Sequence, residues 1–194
     1  MLFYNCYILR ERLLEILIIR GFGIVKPLVL VVIGSDSDLP VMQSAINVFE
    51  DFKVPFELRI SSAHRLPHKT AQLAQEAEQK GVEVIIAAAG LAAHLPGVIA
   101  SFTTLPVIGV PMKSGALNGQ DALLAIVQMP PGIPVATVAI DGAKNAALLA
   151  CQILGVKFPD LRAKLKNYRL KLAAEVEAKD MKLQENGIYG YLAT

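Results

Sequence analysis

The chain has no tryptophan and only two cysteines, Cys6 and Cys151, among its 194 residues. Two cysteines are too few for a disulfide framework and lie at no metal-ligand spacing, so we expect a reducing, cytoplasmic setting. An excess of charge of one sign is also missing, because 19 Lys and Arg against 17 Asp and Glu leave a net charge of +2. This balance gives no electrostatic footprint for nucleic acid and favours a small-molecule ligand.

Long apolar runs are missing as well. Charged residues such as Arg10, Glu11 and Arg12 interrupt residues 1–26, where the longest clean apolar run is Ile16 to Ile19. A membrane-spanning helix needs roughly 18 apolar residues, and a signal peptide would be apolar where these charges fall. We therefore expect no membrane association, and we interpret residues 1–26 as a non-catalytic N-terminal appendage.

Several common catalytic signatures are absent. There is no Gly-x-x-x-x-Gly-Lys-Ser/Thr loop and no Gly-x-Gly-x-x-Gly after the first strand, which argues against ATP hydrolysis and dinucleotide binding. Ser62 precedes His64, but no Gly-x-Ser-x-Gly elbow exists. Asp36, Asp38 and the loop histidines match no metal-binding pattern, so we predict no metal site. Acid-base chemistry by histidine remains.

The most informative stretch is the apolar run Leu28 to Ile33, which stops abruptly at Gly34-Ser35-Asp36-Ser37-Asp38. The run is typical of a strand covered on both faces. Ser35, Ser37 and Asp38 can each cap a helix, and Pro40 suits its first turn. Such a strand-to-helix loop presents backbone N–H groups that favour a phosphate. An ordinary capped turn is the equally open alternative.

The strand, loop and helix pattern recurs along the chain. The predicted strands are Leu28–Ile33, Phe56–Ile60, Val84–Ala89, Pro106–Pro111 and Val135–Ile140. The predicted helices cover Val41–Phe52, the segment from Pro67 to a stop at Gly81, a start after His94, Asp121–Gln128, and Ala143–Leu154 with a stop at Gly155. This alternation predicts an α/β domain over residues 27–158, with a parallel five-stranded sheet and helices on both faces.

Three polar loops follow strands of this sheet: Gly34–Asp38, Ser61–Arg65 and Gly90–His94. Ligands of parallel sheets bind beyond the carboxyl ends of the strands, so the three loops should open onto one edge. Two of the three histidines, His64 and His94, lie there, and Arg65 adds a charge that suits phosphate. A single loop histidine is more often a surface residue, as we expect for His68, but this convergence favours a site.

Residues 159–194 carry apolar side chains at helical spacing: Leu161, Leu165, Tyr168, Leu172 and Val176. We predict a long amphipathic helix. Its apolar face covers either its own domain or a neighbouring subunit, and periodicity does not choose between the two.

Five motifs together resemble one enzyme family, the N5-carboxyaminoimidazole ribonucleotide mutases of purine biosynthesis. They occur in the family's order between Val29 and Leu154 and are Gly34–Asp38 (GSDSD), Ser61–Arg65 (SSAHR), Ala92–Gly97 (AAHLPG), Pro106–Pro111 (PVIGVP) and Ile126–Pro130 (IVQMP). The resemblance implies a three-layer, flavodoxin-like fold and a homo-octamer with sites near subunit boundaries. It also implies a reaction without ATP, metal or organic cofactor, in which a carboxyl group moves from an exocyclic nitrogen to the adjacent ring carbon.

The resemblance also implies roles for single residues. His64 would be the general acid and base. The ribonucleotide substrate would be held at its ribose and phosphate by Ser35, Ser37, Asp38 and Arg65, with Asp38 on the ribose hydroxyls. A loop containing Gly90, His94 and Leu95 would close around the carboxylate and base.

Two departures from the family accompany these expectations. Leu91 stands where members often have a second glycine, and residues 1–26 have no expected counterpart. Two other functions stay open. A related branch carboxylates aminoimidazole ribonucleotide directly with CO2, although its members tend to lack the Ala-Ala-His-Leu-Pro-Gly loop. A non-catalytic nucleotide-binding module of the same fold is the second alternative.

Overall fold

A computed structural model describes residues 26–192, so the predicted N-terminal appendage lies outside the described residues, apart from Lys26. The strands are β1 Val29–Ile33, β2 Phe56–Ile60, β3 Val84–Ala89, β4 Val107–Pro111 and β5 Ala136–Thr137. They form one parallel sheet in the order β2-β1-β3-β4-β5. This is the flavodoxin-like order, with its switch point between β1 and β3. The predicted fold class is confirmed.

The helices cover both faces of the sheet. They are α1 Leu39–Phe52, α2 Pro67–Ala77, α3 Leu95–Ala100, α4 Gln120–Val127, α5 Ala143–Lys157 and α6 Pro159–Leu192. Helices α1, α5 and the start of α6 pack on one face, and α2, α3 and α4 pack on the other. The result is the predicted three-layer arrangement.

Strand β1 supplies both cores. Val29, Val31 and Ile33 belong to the cluster that includes α1 and α5, whereas Leu30 and Val32 belong to the cluster on the opposite face. Successive side chains of a strand point to opposite faces, so a central parallel strand must be apolar throughout. The unbroken apolar run is therefore typical of a central strand. The polar residues that follow β1 lie at the end of the sheet where the carboxyl ends of the strands meet.

Three element boundaries differ from the predictions by three residues or more. Helix α2 ends at Ala77, four residues before the predicted stop at Gly81. The fifth strand is two residues long rather than six, because it pairs with β4 only at Ala136 and Thr137 before the chain turns at Asp141, whose φ is +55°. Gly155 does not stop α5, which continues to Lys157. A Cβ at Gly155 would lie 3.5 Å from Leu165 Cδ1, an ordinary contact distance, so this glycine lies at the contact between α5 and α6.

The C-terminal helix α6 was predicted correctly, but only its beginning is covered. Leu161 and Leu165 are 7% and 8% exposed and join the core beside α5. Further along, Leu172 and Val176 are 41% and 65% exposed. The helical path breaks at Gly187, whose φ is +63°. None of the helices within residues 26–192 combines the length and the apolar character needed to cross a membrane.

Candidate active site

The carboxyl ends of the first four strands surround a cavity of about 490 Å³. It lies at the switch point of the sheet, where Gly34 N–H donates to the Ala88 carbonyl at 3.1 Å. The lining residues come from the loops after β1, β2, β3 and β4: Gly34, Ser35, Ser37, Asp38, Ser62, Ala63, His64, Arg65, Ala89, Gly90, Leu91, Ala92, Ala93, His94, Leu95 and Ser114. All the site residues named from the sequence therefore line one cavity.

The loop after β1 is a capped turn as well as a cavity wall. Ser35 caps a 3-10 turn, Asp36–Asp38, and accepts the Ser37 N–H on its hydroxyl oxygen at 3.3 Å. The Ser35 N–H in turn donates to Asp38 Oδ2 at 3.3 Å, which completes a capping box. Helix α1 then begins at Leu39, with Pro40 in its first turn. The capped turn predicted from the sequence is therefore present, and the same loop lines the cavity, so its predicted role in phosphate binding stays a prediction.

The carboxyl group of Asp38 has a raised pKa. Burial is the main cause, and the neighbouring charges of Asp36 and Asp141 act in the same direction. Hydrogen bonds from the Ser35 backbone and the Ser37 side chain oppose this shift without cancelling it. A half-buried carboxylate on the cavity wall is suited to accept hydrogen bonds from ligand hydroxyls, which would lower the cost of its burial.

His64 and His94 contact each other directly. Nε2 of His64 lies 2.6 Å from Nδ1 of His94, and the rings are nearly perpendicular at 86°. Only one proton fits between two nitrogens at this distance, so one ring donates and the other accepts. His64 follows β2, and His94 stands at the start of α3. The pair therefore links two loops through one hydrogen bond on the cavity wall.

The loop after β2 is hydrogen-bonded to neighbouring elements at its first residue, Ser61, and carries the cationic side chain of Arg65. Ser61 is fully buried, and its hydroxyl lies 2.8 Å from Thr70 Oγ1 in α2. Its N–H donates to the Ile33 carbonyl at 2.9 Å, which ties the loop to the end of β1. No carboxylate within residues 26–192 forms an ion pair with the Arg65 guanidinium. An unpaired Arg on a polar cavity wall suits a phosphate or carboxylate.

The loop after β3 is strained. Leu91 and Ala93 have φ values of +53° and +41°, in the left-handed region. This conformation costs an L residue about 1–2 kcal/mol, and such strain collects at functional sites. The Ala93 N–H closes the turn on the Gly90 carbonyl at 3.0 Å. Leu95, by contrast, is 2% exposed and belongs to the core, so it supports the cavity from below.

Sequence reasoning missed Ser114. It follows β4, lines the cavity, and carries a buried hydroxyl oxygen with no hydrogen-bond partner in the described part of the chain. A signal for it existed, because a polar residue after a strand of the same parallel sheet opens onto the same edge. The described residues contain no group of three or more His, Cys, Asp or Glu side chains placed to hold a metal.

Comparison with known proteins identifies relatives of the chain. The AIR carboxylase family model matches residues 28–175. The N5-carboxyaminoimidazole ribonucleotide mutase of Pyrococcus horikoshii is 60% identical over 168 residues, which are 87% of this chain and 95% of that protein. The phosphoribosylaminoimidazole carboxylase of Saccharomyces cerevisiae is 53% identical over 170 residues, 88% of this chain but 30% of that protein. The crystal structure of Treponema denticola PurE has a TM-score of 0.74 at 29% identity and covers 81% of this chain and 98% of that one.

Proposed function

Because the chain belongs to the AIR carboxylase family, we propose that it converts N5-carboxyaminoimidazole ribonucleotide to 4-carboxyaminoimidazole ribonucleotide in purine biosynthesis. The enzyme is then an isomerase of the mutase type, and its substrate is a small ribonucleotide. The matching residues span the whole α/β domain and continue into α6.

The chemistry needs one group that gives and takes a proton. The bond between the exocyclic nitrogen and the carboxyl carbon breaks, its electron pair stays on nitrogen, and nitrogen takes up a proton. The ring carbon then attacks the released CO2 and loses its own proton. No proton is gained or lost overall, so a single acid-base group can serve both halves, and histidine suits this exchange near neutral pH.

His64 is our choice for this group, with His94 as its partner. The observation that carries the proposal is the 2.6 Å contact between the two rings on the wall of a polar cavity. A proton held between two imidazoles can be passed toward the ligand and taken back. Gly90 and Leu95 flank His94 and shape the part of the cavity that would surround the migrating carboxyl group.

The remaining residues would anchor the ribonucleotide. Ser35 and Ser37 lie on the capped turn, where their hydroxyl groups can donate hydrogen bonds to a phosphate. Arg65 supplies the unpaired positive charge on the facing loop. Asp38 is best suited to the ribose hydroxyls, because its half-buried carboxylate accepts hydrogen bonds and repels anions. Anchoring at the ribose phosphate leaves the base end to face the histidine pair.

Direct carboxylation of aminoimidazole ribonucleotide with CO2 is the second candidate. The similarity to the yeast carboxylase favours it, because that protein is matched over most of this chain. The two reactions share their second half, so the cavity is compatible with both. The loop that carries His94 favours the mutase.

A substrate assay distinguishes the candidates. The protein is incubated with N5-carboxyaminoimidazole ribonucleotide without ATP or bicarbonate, and the carbon-carboxylated product is measured against a control without enzyme. We expect product formation. Activity only on aminoimidazole ribonucleotide plus CO2 would identify the carboxylase, and tight ligand binding without turnover in either assay would identify a binding module.

We also infer that the enzyme works as a homo-octamer in the cytoplasm. The outer part of α6 carries apolar side chains on one face that its own domain leaves uncovered, including Leu172 and Val176, which are four residues apart. Such a face favours contact with another copy of the chain. Light scattering at assay concentration tests the assembly, and a monomeric mass would contradict it.

A further inference from the structure

The loops after β3 and β4 interlock through two residues from each loop. A Cβ at Gly90 would lie 2.5 Å from Ser114 Oγ, and a Cβ at Gly115 would lie 2.8 Å from Leu91 Cδ2. Each loop therefore provides a glycine where the other inserts a side chain, Ser114 over Gly90 and Leu91 over Gly115. We refer to these four residues as the interlock.

The interlock has two local costs. Leu91 has a φ of +53°, which an L side chain adopts unfavourably. The Ser114 hydroxyl oxygen is buried with no hydrogen-bond partner among the described residues, so its desolvation is uncompensated. Two unfavourable features at one contact, both on the cavity wall, indicate a functional constraint.

The β4 side of the interlock is fixed from the end of the sheet. The Lys113 N–H donates to Asp141 Oδ1 at 2.8 Å, and the Asp141 N–H donates to the Pro111 carbonyl at 2.8 Å. These bonds tie the chain immediately before Ser114 and Gly115 to the turn after β5. The loop of His94, which begins at Gly90, therefore packs against a segment that is anchored at one end.

We propose that Leu91 is a positioning residue that keeps the carboxyl group inside the cavity during its transfer. The proposal rests on the mutase function proposed above. The Leu91 side chain lines the cavity and bridges to Gly115, so it closes the gap between the two loops with an apolar group. An apolar closure excludes water and keeps released CO2 beside the ring carbon that must capture it.

The test measures carbon retention. Unlabelled N5-carboxyaminoimidazole ribonucleotide is converted in buffer that contains ¹³C-bicarbonate, and the initial product is analysed by mass spectrometry, with spontaneous loss subtracted. The wild type should retain the original carbon. Leu91→Ala should raise labelled product and free aminoimidazole ribonucleotide several-fold, and Gly115→Ala, which pushes Leu91 outward, should act in the same direction.

Leu117→Ala is the matched control. Leu117 lies on the same loop as Gly115 and is 58% exposed, against 56% for Leu91, but it does not line the cavity. The Leu117→Ala variant should retain the original carboxyl carbon in the product, as the wild type does. Thermal melting checks that each variant folds. Equal labelling of the product in the wild type, Leu91→Ala and Gly115→Ala would overturn the proposed role of Leu91 and leave the proposed mutase function standing. If the wild type forms no product from N5-carboxyaminoimidazole ribonucleotide, the proposed mutase function itself is overturned.

Discussion

The loop after β1 and the loop after β3 lie side by side but are stabilised in different ways. The β1 loop is held by its own residues, through the capping box of Ser35 and Asp38. The β3 loop depends on its neighbours, because His94 contacts His64 of the β2 loop, and Gly90 and Leu91 pack against the β4 loop. The anchoring wall of the cavity is thus locally encoded, whereas the wall nearest the proposed chemistry is assembled from three loops. Substitutions should affect binding in the first loop and turnover in the second.

Breaking the histidine pair should have the largest effect. In His64→Asn the proposed acid-base group is lost, and general acid-base catalysis typically contributes about 10²–10⁴-fold. We expect kcat to fall in this range while ligand binding, measured by calorimetry, changes little. His68→Asn is the control, since His68 is exposed and lies outside the cavity. Equal activity in His64→Asn would disprove its catalytic role.

Gly90→Ala should separate the two interlocked loops. Its Cβ would lie 2.5 Å from Ser114 Oγ and 3.4 Å from the Met112 carbonyl oxygen. A displaced loop should lower kcat by about ten-fold or more, because small misplacements near reacting groups are costly. Gly34→Ala is the comparison in the self-contained loop, where the nearest atom is 3.8 Å away, and it should cost much less.

A double variant checks that the clash is the cause. Adding Ser114→Gly to Gly90→Ala removes the obstructing hydroxyl and should restore most of the lost turnover. Additive losses in the double variant would show that Gly90 is required for another reason.

This contrast also explains what could be read from the sequence. Capping residues, strand endings and the placement of His64 and His94 are local signals, so they predicted the fold and the loops that share the cavity. Ser114 and the role of Gly155 depend on which elements pack together in space. Gly155 resembles a helix stop in isolation, but in the fold it lies inside α5, facing Leu165 of α6. The short fifth strand likewise follows from its edge position and the turn at Asp141.

Ser35→Ala should have a moderate effect on both stability and binding. Loss of an N-cap hydroxyl typically costs ~1 kcal/mol, which corresponds to a melting temperature lower by about 2–4 °C in a chain of this size. KM should rise more than kcat falls, since the hydroxyl lies in the anchoring wall. Ser35→Thr keeps the capping oxygen and should retain most of the stability. A fall in kcat with unchanged KM would place Ser35 with the chemistry instead.

The smallest predicted effect concerns the charge of Asp38. Burial raises its pKa above the ordinary value of 3.8, so the folded state binds this proton more tightly than the unfolded chain. As pH rises from the unfolded-state pKa to the raised folded-state pKa, ionisation of this carboxyl group therefore lowers the free energy of unfolding. The loss of stability persists at all higher pH values. Asp38→Asn cannot titrate, so its stability relative to the wild type should improve as pH rises from below 3.8 through the raised pKa of Asp38, as measured by urea denaturation.

The cause of this shift refines the comparison between the loops. The charge of Asp141, from the far end of the sheet, adds to the raised pKa of Asp38. Asp141→Asn removes that charge but keeps an oxygen to accept the Lys113 N–H, so it should reduce the pH dependence without loosening the β4 loop. An unchanged pH dependence in Asp141→Asn would leave burial and Asp36 as the causes. A reduced one would show that the β1 loop, although self-contained in its hydrogen bonds, is coupled to its neighbours through charge.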